Sequence, residues 1–594
     1  MRLKKLMKVS ITDDLITMES NQVTMNKFNY RYIVLICTFL LSFTSHAADK
    51  RPNIVVILSD DSGYTDLGSF GGEIETPHLD QLAKEGVRFS NFYSNARCSP
   101  TRATLLTGVD AAHVGFGGGV VGDWVRELPF KAHRGRLPYN QPLISELLGS
   151  NGYQTMMAGK WHLGGSYIKE HPQEMSAGWI NSHSGMKLTQ EEMELDYLGL
   201  PSQRGFQKSF VFHGAQGNLF ATPEDKHEYY EDNKRAKLKY DYNYNMHCYA
   251  GNAFSKKHYA ACHGKSGKAF YATDGMTDRA IDMIKEASGK KEPFFMYVAY
   301  RAPHKPLQAP EELVQKYLKR YANLQSIADG RHEGLVKAGL FSKDADATNN
   351  NYMWTKQDKV KINKYRLQAA VHAAMVDKVD ENVGKLIQGL KDNGEYENTL
   401  ILYFSDNGAA SHIGDLMNIP YKGVKALLWE GGARTHAIAN WPGVIKPGTI
   451  TDNVVWVGDI VPTLLDITGT KFPEIFHGKM PRKPDGRSVI ETLKGEKMAP
   501  PEAIFNNDKG QQSVVYQGRW KLLIEAGWYL QTLAKPGIAY ELYDLDNDPG
   551  ETNNLAKEKP ELVAKLTAMC GKWKIENGIV DYAEIIKIKP NDPY

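Results

Sequence analysis

Four short apolar runs share one pattern along this chain. Asn53–Ser59 (NIVVILS), Tyr153–Ala158, Phe294–Ala299 (FFMYVA) and Thr399–Ser405 (TLILYFS) are continuous, as expected of strands buried on both faces of a parallel sheet. Each is followed closely by candidate chemistry: Asp60-Asp61, Gly159-Lys160-Trp161-His162, Pro303-His304 and Asp406-Asn407-Gly408. Between them lie helical stripes. The clearest is Leu367–Leu390, with Leu367, Ala370, Val371, Ala374, Met375, Val379, Val383, Leu386, Ile387 and Leu390 on one face and Asn393-Gly394 as its stop. Alternating strands and helices predict a doubly wound α/β sheet, in which ligands bind beyond the carboxyl ends of the strands. After about Pro484 the pattern changes. Ser513–Tyr516, a Gln517-Gly518 turn and Trp520–Ile524 predict a hairpin, Glu541–Leu545 a further strand, and Pro560–Trp573 a helix, together a small antiparallel α+β subdomain over 485–594.

Length and composition agree with this plan. With 594 residues, 42% of them hydrophobic, the chain can bury one large core plus a smaller companion. The formal charge is +3, and Met1–Ala47, with six basic and three acidic side chains, accounts for all of it. The remainder is near neutral, which argues against a nucleic-acid partner. Tyr32–Phe43 is an apolar run preceded by Lys27 and Arg31 and followed by Ser45-His46-Ala47, the form of a signal peptide cleaved after Ala47. It is too short for a stable membrane anchor, so a periplasmic or secreted mature chain is expected, with the catalytic domain spanning 48–484. The preceding Met1–Asn26 is long for such a signal, and Met25 is an alternative start.

Cys37 falls in the signal, leaving Cys98, Cys248, Cys262 and Cys570, too few for a disulfide scaffold. Cys248 and Cys262 are near enough in sequence to pair, and Cys570, on a helical pattern, reads as a small buried hydrophobe.

Candidate chemistry collects at the strand ends. Asp60, Asp61, Asp406 and Asn407 offer an all-oxygen set suited to a hard cation, Ca²⁺ or Mg²⁺, and not to Zn²⁺; capping of the following helices is the simpler alternative for any one of them. Pro100 places Cys98 at a helix N-terminus, where negative charge is favoured. Taken alone, that cysteine is either an activated thiol or a buried one. Asp544, Asp546 and Asp548 imitate the start of an EF-hand loop, but Pro549 stands where the glycine belongs and Leu555 where the glutamate belongs, so a turn is expected instead.

Cys98-Ser99-Pro100-Thr101-Arg102, followed by Ala103-Thr104-Leu105-Leu106-Thr107-Gly108, resembles the sulfatase signature C-x-P-x-R, whose cysteine is oxidised to formylglycine. The resemblance extends in order through Asp60-Asp61, Gly159-Lys160-Trp161-His162-Leu163-Gly164, Ala302-Pro303-His304, Ser405-Asp406-Asn407-Gly408 and Gly423-Val424-Lys425 before Glu430-Gly431-Gly432. It reaches Leu542-Tyr543-Asp544-Leu545 and is closest to the bacterial arylsulfatase branch of the alkaline phosphatase superfamily. The resemblance implies Asp60, Asp61, Asp406, Asn407 and the modified Cys98 as ligands of Ca²⁺, with Mg²⁺ possible. It implies that a formylglycine hydrate attacks sulfur and Asp406 accepts its proton. Arg102 and Lys160 would hold the hydrate and ester charge, Lys425 the sulfate, and His304 the leaving oxygen. His162 would take the second hydroxyl's proton so that the aldehyde re-forms and sulfate leaves. Implied partners are a sulfated small-molecule or carbohydrate substrate and a formylglycine-generating maturation enzyme. His213 has no matched role and is expected to be structural.

Two other functions compete. Formylglycine-dependent phosphonate monoester or phosphodiester hydrolases share much of this constellation, and an inactive binder of sulfated glycans would keep part of it. Glu228–His263 holds Tyr229, Tyr230, Tyr240, Tyr242, Tyr244, Tyr249 and Tyr259, aromatic faces suited either to sugar rings or to packing a long loop.

Overall fold

The structure is a computed structural model. It describes residues 51–594 except 119–129, 165–196, 215–216, 222, 224–228, 244–245, 250–267, 344, 346–358, 525–538, 582–583 and 585–594. The expected signal segment, Cys262, Tyr244 and Tyr259 lie outside the described residues.

The first apolar run is strand β1 (Asn53–Asp60), buried along its whole length. The others of the main sheet are β2 (Val87–Tyr93), β3 (Gln154–Lys160), β4 (Lys208–Phe212), β5 (Tyr229–Glu231), β6 (Lys234–Arg235), β7 (Phe294–Pro303), β8 (Thr399–Ser405), β9 (Arg434–Asn440), β10 (Thr449–Thr451) and β11 (Val455–Trp456). Their order is β10-β2-β9-β8-β1-β7-β3-β4-β5-β6, with β11 pairing β2. The centre, β8-β1-β7-β3-β4, is parallel, in register from Ile54 opposite Phe295 and Leu400. The flanks depart from the parallel pattern: β9 is antiparallel to β8 and β2, and β5 to β4.

Both faces of this sheet are covered, which is why its central strands are continuously apolar. Val55 and Ile57 of β1 face a core shared with helices α2 (Ala272–Ala287) and α3 (Lys359–Asp392), whereas Ile54, Val56 and Leu58 face a second core built with helix α1 (Cys98–Thr107). Helix α3 begins earlier than its apolar stripe.

The closing sheet is antiparallel, β12 (Ile504–Asp508), β13 (Gln512–Gln517), β14 (Trp520–Ile524) and β15 (Tyr540–Asp544) in that order. Helix α4 (Pro560–Asn577) covers it, with Leu566, Cys570 and Trp573 packed on Val515, Leu522 and Leu542. Cys570 is fully buried. The false EF-hand is a turn in which the Asp548 carboxylate accepts the amides of Thr552 and Asn553. Among the described residues no helix is long and apolar enough to cross a membrane.

Candidate active site

The tips of four neighbouring strands, β8, β1, β7 and β3, bring the predicted residues together. Asp60 ends β1, Lys160 ends β3, His304 follows β7 and Asp406-Asn407 follow β8. Helix α1 presents its first residue, Cys98, to the same point. Cys98 Sγ lies 3.3 Å from Asp60 Oδ1, 4.0 Å from Asp61 Oδ1 and 3.0 Å from Lys425 Nζ. All ten predicted site residues therefore meet in one pocket or its wall.

The pocket balances three carboxylates with three cations. Lys160 pairs with Asp60 Oδ2, and Lys425 with Asp61 Oδ1. Arg102 grips Asp406 Oδ2 through Nε at 3.2 Å and Nη2 at 2.8 Å, and is itself held by the Lys160 carbonyl and the Tyr297 hydroxyl. Tyr297 lies inside an apolar run, where a tyrosine gives no separate signal in the sequence. Asn407 donates to Asp61 Oδ1 at 2.8 Å. Close approach of two loops makes this possible: a Cβ on Gly408 would sit 1.8 Å from the Gly431 carbonyl, so only glycine lets the Asp406 loop lie against the loop after Lys425.

Burial dominates the protonation states, and neighbouring charges decide their directions. Burial alone would raise Asp60, but Lys160, His304, Arg102 and Lys425 outweigh it and hold the carboxyl well below its usual range. Asp406 goes the other way, to about 7, because burial and the Asp60 charge exceed the help of Arg102. The Cys98 thiol is pushed up to about 12 by burial and by Asp406 and Asp60, so the unmodified side chain is a protonated, poor nucleophile. His304 falls to about 3 through burial and Lys425. His162 is also depressed by burial, with Lys160 and Arg102 adding to it.

The donor set fits a hard cation. Asp61 Oδ2 and Asn407 Oδ1 are buried acceptors without hydrogen-bond partners, the oxygens a cation would satisfy. Oxygen and sulfur atoms of Asp60, Asp61 and Cys98, with a ring nitrogen of His304, lie within 4.8 Å of one another. His304 stands beside the expected oxygen set. Its Nδ1 faces the Lys305 carbonyl at 2.6 Å and its Nε2 faces Asp61 Oδ2 at 3.7 Å.

Residues outside the pocket hold its walls. The segment after Lys425 is anchored by Glu430, whose carboxylate takes Lys521 at 2.8 Å and the Tyr93 hydroxyl at 2.9 Å. Glu551 completes the cluster, 2.7 Å from Lys521 and accepting the Glu430 amide. His213 is buried beside Tyr230, and its carbonyl accepts the amide of His162. Two of the candidate sugar-binding tyrosines are core residues instead: Tyr229 and Tyr230 are buried, Tyr229 stacking on Phe210 and bonding Arg301. Pairing of β5 with β4 puts them on opposite faces of a sheet that is covered on both sides, a constraint invisible in composition.

An alkaline-phosphatase-like sheet that ends in an oxygen-lined, cation-rich pocket defines a hydrolase of charged esters. The sulfatase family model matches residues 52–470, and the model of the C-terminal part of N-sulphoglucosamine sulphohydrolase matches 424–572. The chain belongs to the sulfatase family, hydrolases of sulfuric esters. It is 30% identical to an uncharacterised sulfatase of Schizosaccharomyces pombe, covering 91% of this chain and 96% of that one. It is 27% identical to the arylsulfatase of Klebsiella aerogenes, over 74% and 92% of the respective chains. Among solved structures, Ps i-CgsB in complex with k-i-k-neocarrahexaose superposes with a TM-score of 0.58 at 25% identity, covering 89% of this chain and 93% of that chain.

Proposed function

We propose that the protein hydrolyses sulfate monoesters of a sulfated carbohydrate, using formylglycine made from Cys98. The observation that carries this reading is the position of Cys98 Sγ, between Asp60 and Lys425, in a pocket whose unmodified thiol is held protonated. The neocarrahexaose complex of Ps i-CgsB supports a carbohydrate substrate.

In this reading Asp60, Asp61, Asp406, Asn407 and the modified residue 98 would hold Ca²⁺ or Mg²⁺, which when bound would supply Lewis-acid polarisation of the ester. Formylglycine at position 98 would, when hydrated, supply two hydroxyls on one carbon, a nucleophile and a means of releasing sulfate that serine lacks. The remaining work falls to side chains in place. Asp406, with its raised pKa, accepts the proton of the attacking hydroxyl. Lys425 and Lys160 bind sulfate oxygens as charge shifts from sulfur to the leaving group, and Arg102 fixes Asp406. His304, its Nδ1–H donated to the Lys305 carbonyl, would have to take up a second proton at Nε2, a state that the negative charge of a bound ester favours, and pass it to the leaving oxygen so that the alcohol departs neutral. His162, neutral and with both ring nitrogens lacking hydrogen-bond partners, takes the second proton.

The test compares kcat/KM for paired sulfate, phosphate and phosphonate esters of one alcohol and one sugar. Preference for the sulfate supports the reading. Preference for phosphodiester or phosphonate assigns the pocket to the related hydrolases, and binding without turnover makes it a glycan receptor. Export to the periplasm or medium, proposed from the Tyr32–Phe43 segment, is checked by cell fractionation.

A further inference from the structure

Asp61 stands on backbone that needs support. Its φ of 69° lies in the left-handed region, where a residue other than glycine persists only if its surroundings fix it. Pairing of β1 with β8 ends at Ser59 opposite Ser405, with the Asp406 amide bonded to the Ser59 carbonyl at 3.1 Å, so it stops short of the turn after Asp61. Two side chains take over. Ser405 Oγ accepts the Ser62 amide at 3.1 Å and donates to the Asn407 carbonyl at 2.8 Å. This fully buried hydroxyl therefore bonds both loops, next to Asp61 on the first and at Asn407 itself on the second. On the other side of the turn, Asp66 Oδ2 accepts the Gly63 amide at 2.7 Å and the Ser62 hydroxyl at 3.2 Å. Asp66 is held in its turn by His372 Nε2 at 2.7 Å and Arg331 Nη1 at 3.1 Å, which anchors the turn to α3 and to the helix Leu324–Lys337. The turn has no room to shift: a Cβ on Gly63 would lie 2.2 Å from the Met417 carbonyl oxygen.

We propose that Ser405 is a positioning residue for the cation site, its hydroxyl fixing the spacing between the Asp60-Asp61 and Asp406-Asn407 ligand pairs. This rests on the reading of those four residues as cation ligands and deepens it. A hydroxyl suits the task because it accepts and donates at once, so one atom ties an N–H of one loop to a C=O of the other. Loops tied in this way are ordered by folding, and the cost of ordering them is not subtracted from the affinity for the cation.

The test measures calcium binding to the metal-stripped enzyme by titration calorimetry, with the unfolding midpoint of the stripped protein recorded beside it. Ser405→Ala should raise Kd by about tenfold or more, the usual effect of losing a group that orients metal ligands. The calcium concentration that half-restores turnover should rise by the same factor, and turnover at saturating calcium should stay close to that of the unaltered enzyme. Ser59→Ala is the matched control. It removes an equally buried hydroxyl from the register partner of Ser405, one that bonds neither loop, and should leave Kd unchanged. An unchanged Kd in Ser405→Ala, whatever its midpoint, overturns the positioning role and leaves the cation reading intact. So does an equal weakening in both variants, or a loss of turnover that calcium does not restore. An unaltered protein that binds neither calcium nor magnesium overturns the cation reading and this proposal together.

Discussion

Lys521 Nζ, on the closing sheet, lies 2.8 Å from Glu430 Oε1, on the segment that follows Lys425. Both side chains are fully buried, as is Glu551, the second acid on the same ammonium. Removing the lysine leaves two carboxylates facing each other without water. Lys521→Met should therefore destabilise the protein by about 3–5 kcal/mol, seen as a lowered thermal-unfolding midpoint, and Lys521→Arg should restore part of it. An unchanged midpoint in Lys521→Met would show that the cluster is not what secures the Lys425 segment.

Asp61 is the natural point at which to test the cation. Its backbone φ is 69°, a conformation that asparagine tolerates, so Asp61→Asn removes charge with little strain. Calcium binding by titration calorimetry should be lost, and kcat should fall by about a hundredfold or more. Retained binding and turnover, or activity that follows bound zinc, would contradict an oxygen-ligated hard cation.

The state of residue 98 is open to direct chemistry. Peptide mass spectrometry of active enzyme should find the mass of an aldehyde or its hydrate at Cys98, and a hydrazide reagent should label it. Full activity from a preparation in which every Cys98 peptide carries a free thiol would sink the formylglycine mechanism.

A stability prediction follows from His436, whose Nδ1 is 3.0 Å from the Gly63 carbonyl and whose ring stacks on Tyr403. Burial lowers its pKa from 6.5 to about 4. The unfolded chain thus takes up this proton at a higher pH than the folded one. The contribution is whole above pH 6.5 and is lost as pH falls toward 4, amounting to about 2 kcal/mol by pH 5. Buried acids such as Asp380, raised to about 7, work in the opposite direction, so the total slope is mixed. Urea denaturation at pH 7.5 and 5 should show that His436→Phe loses less stability on acidification than the parent. Equal losses would mean that His436 does not protonate on unfolding.

What was legible in the sequence followed from burial on both sides. β1 and β8 are read correctly because a central parallel strand has no polar face to interrupt it. β9 is hidden in the sequence because Arg434 and His436 sit in it, buried and hydrogen-bonded to the Ser90 and Gly63 carbonyls, so its apolar pattern is broken by residues that tertiary partners make acceptable. The start of α3 is hidden for the opposite reason: Lys359–Lys361 are exposed and carry no apolar stripe. The pocket was legible residue by residue because strand tips impose order on the motifs. Its supports were not, since nothing near Glu430 in the sequence points to Lys521, and nothing in a run of tyrosines tells which will pair into a sheet.

Cys98 is only 4% exposed, at the first turn of a helix packed into the core. A modifying enzyme has to reach that side chain, which the finished fold closes off. If residue 98 is converted as proposed, conversion has to come before folding, in the interval between synthesis and burial of α1. The proportion of competent molecules is then set once, by a race between two rates early in the life of each chain, and cannot be repaired in the assembled protein.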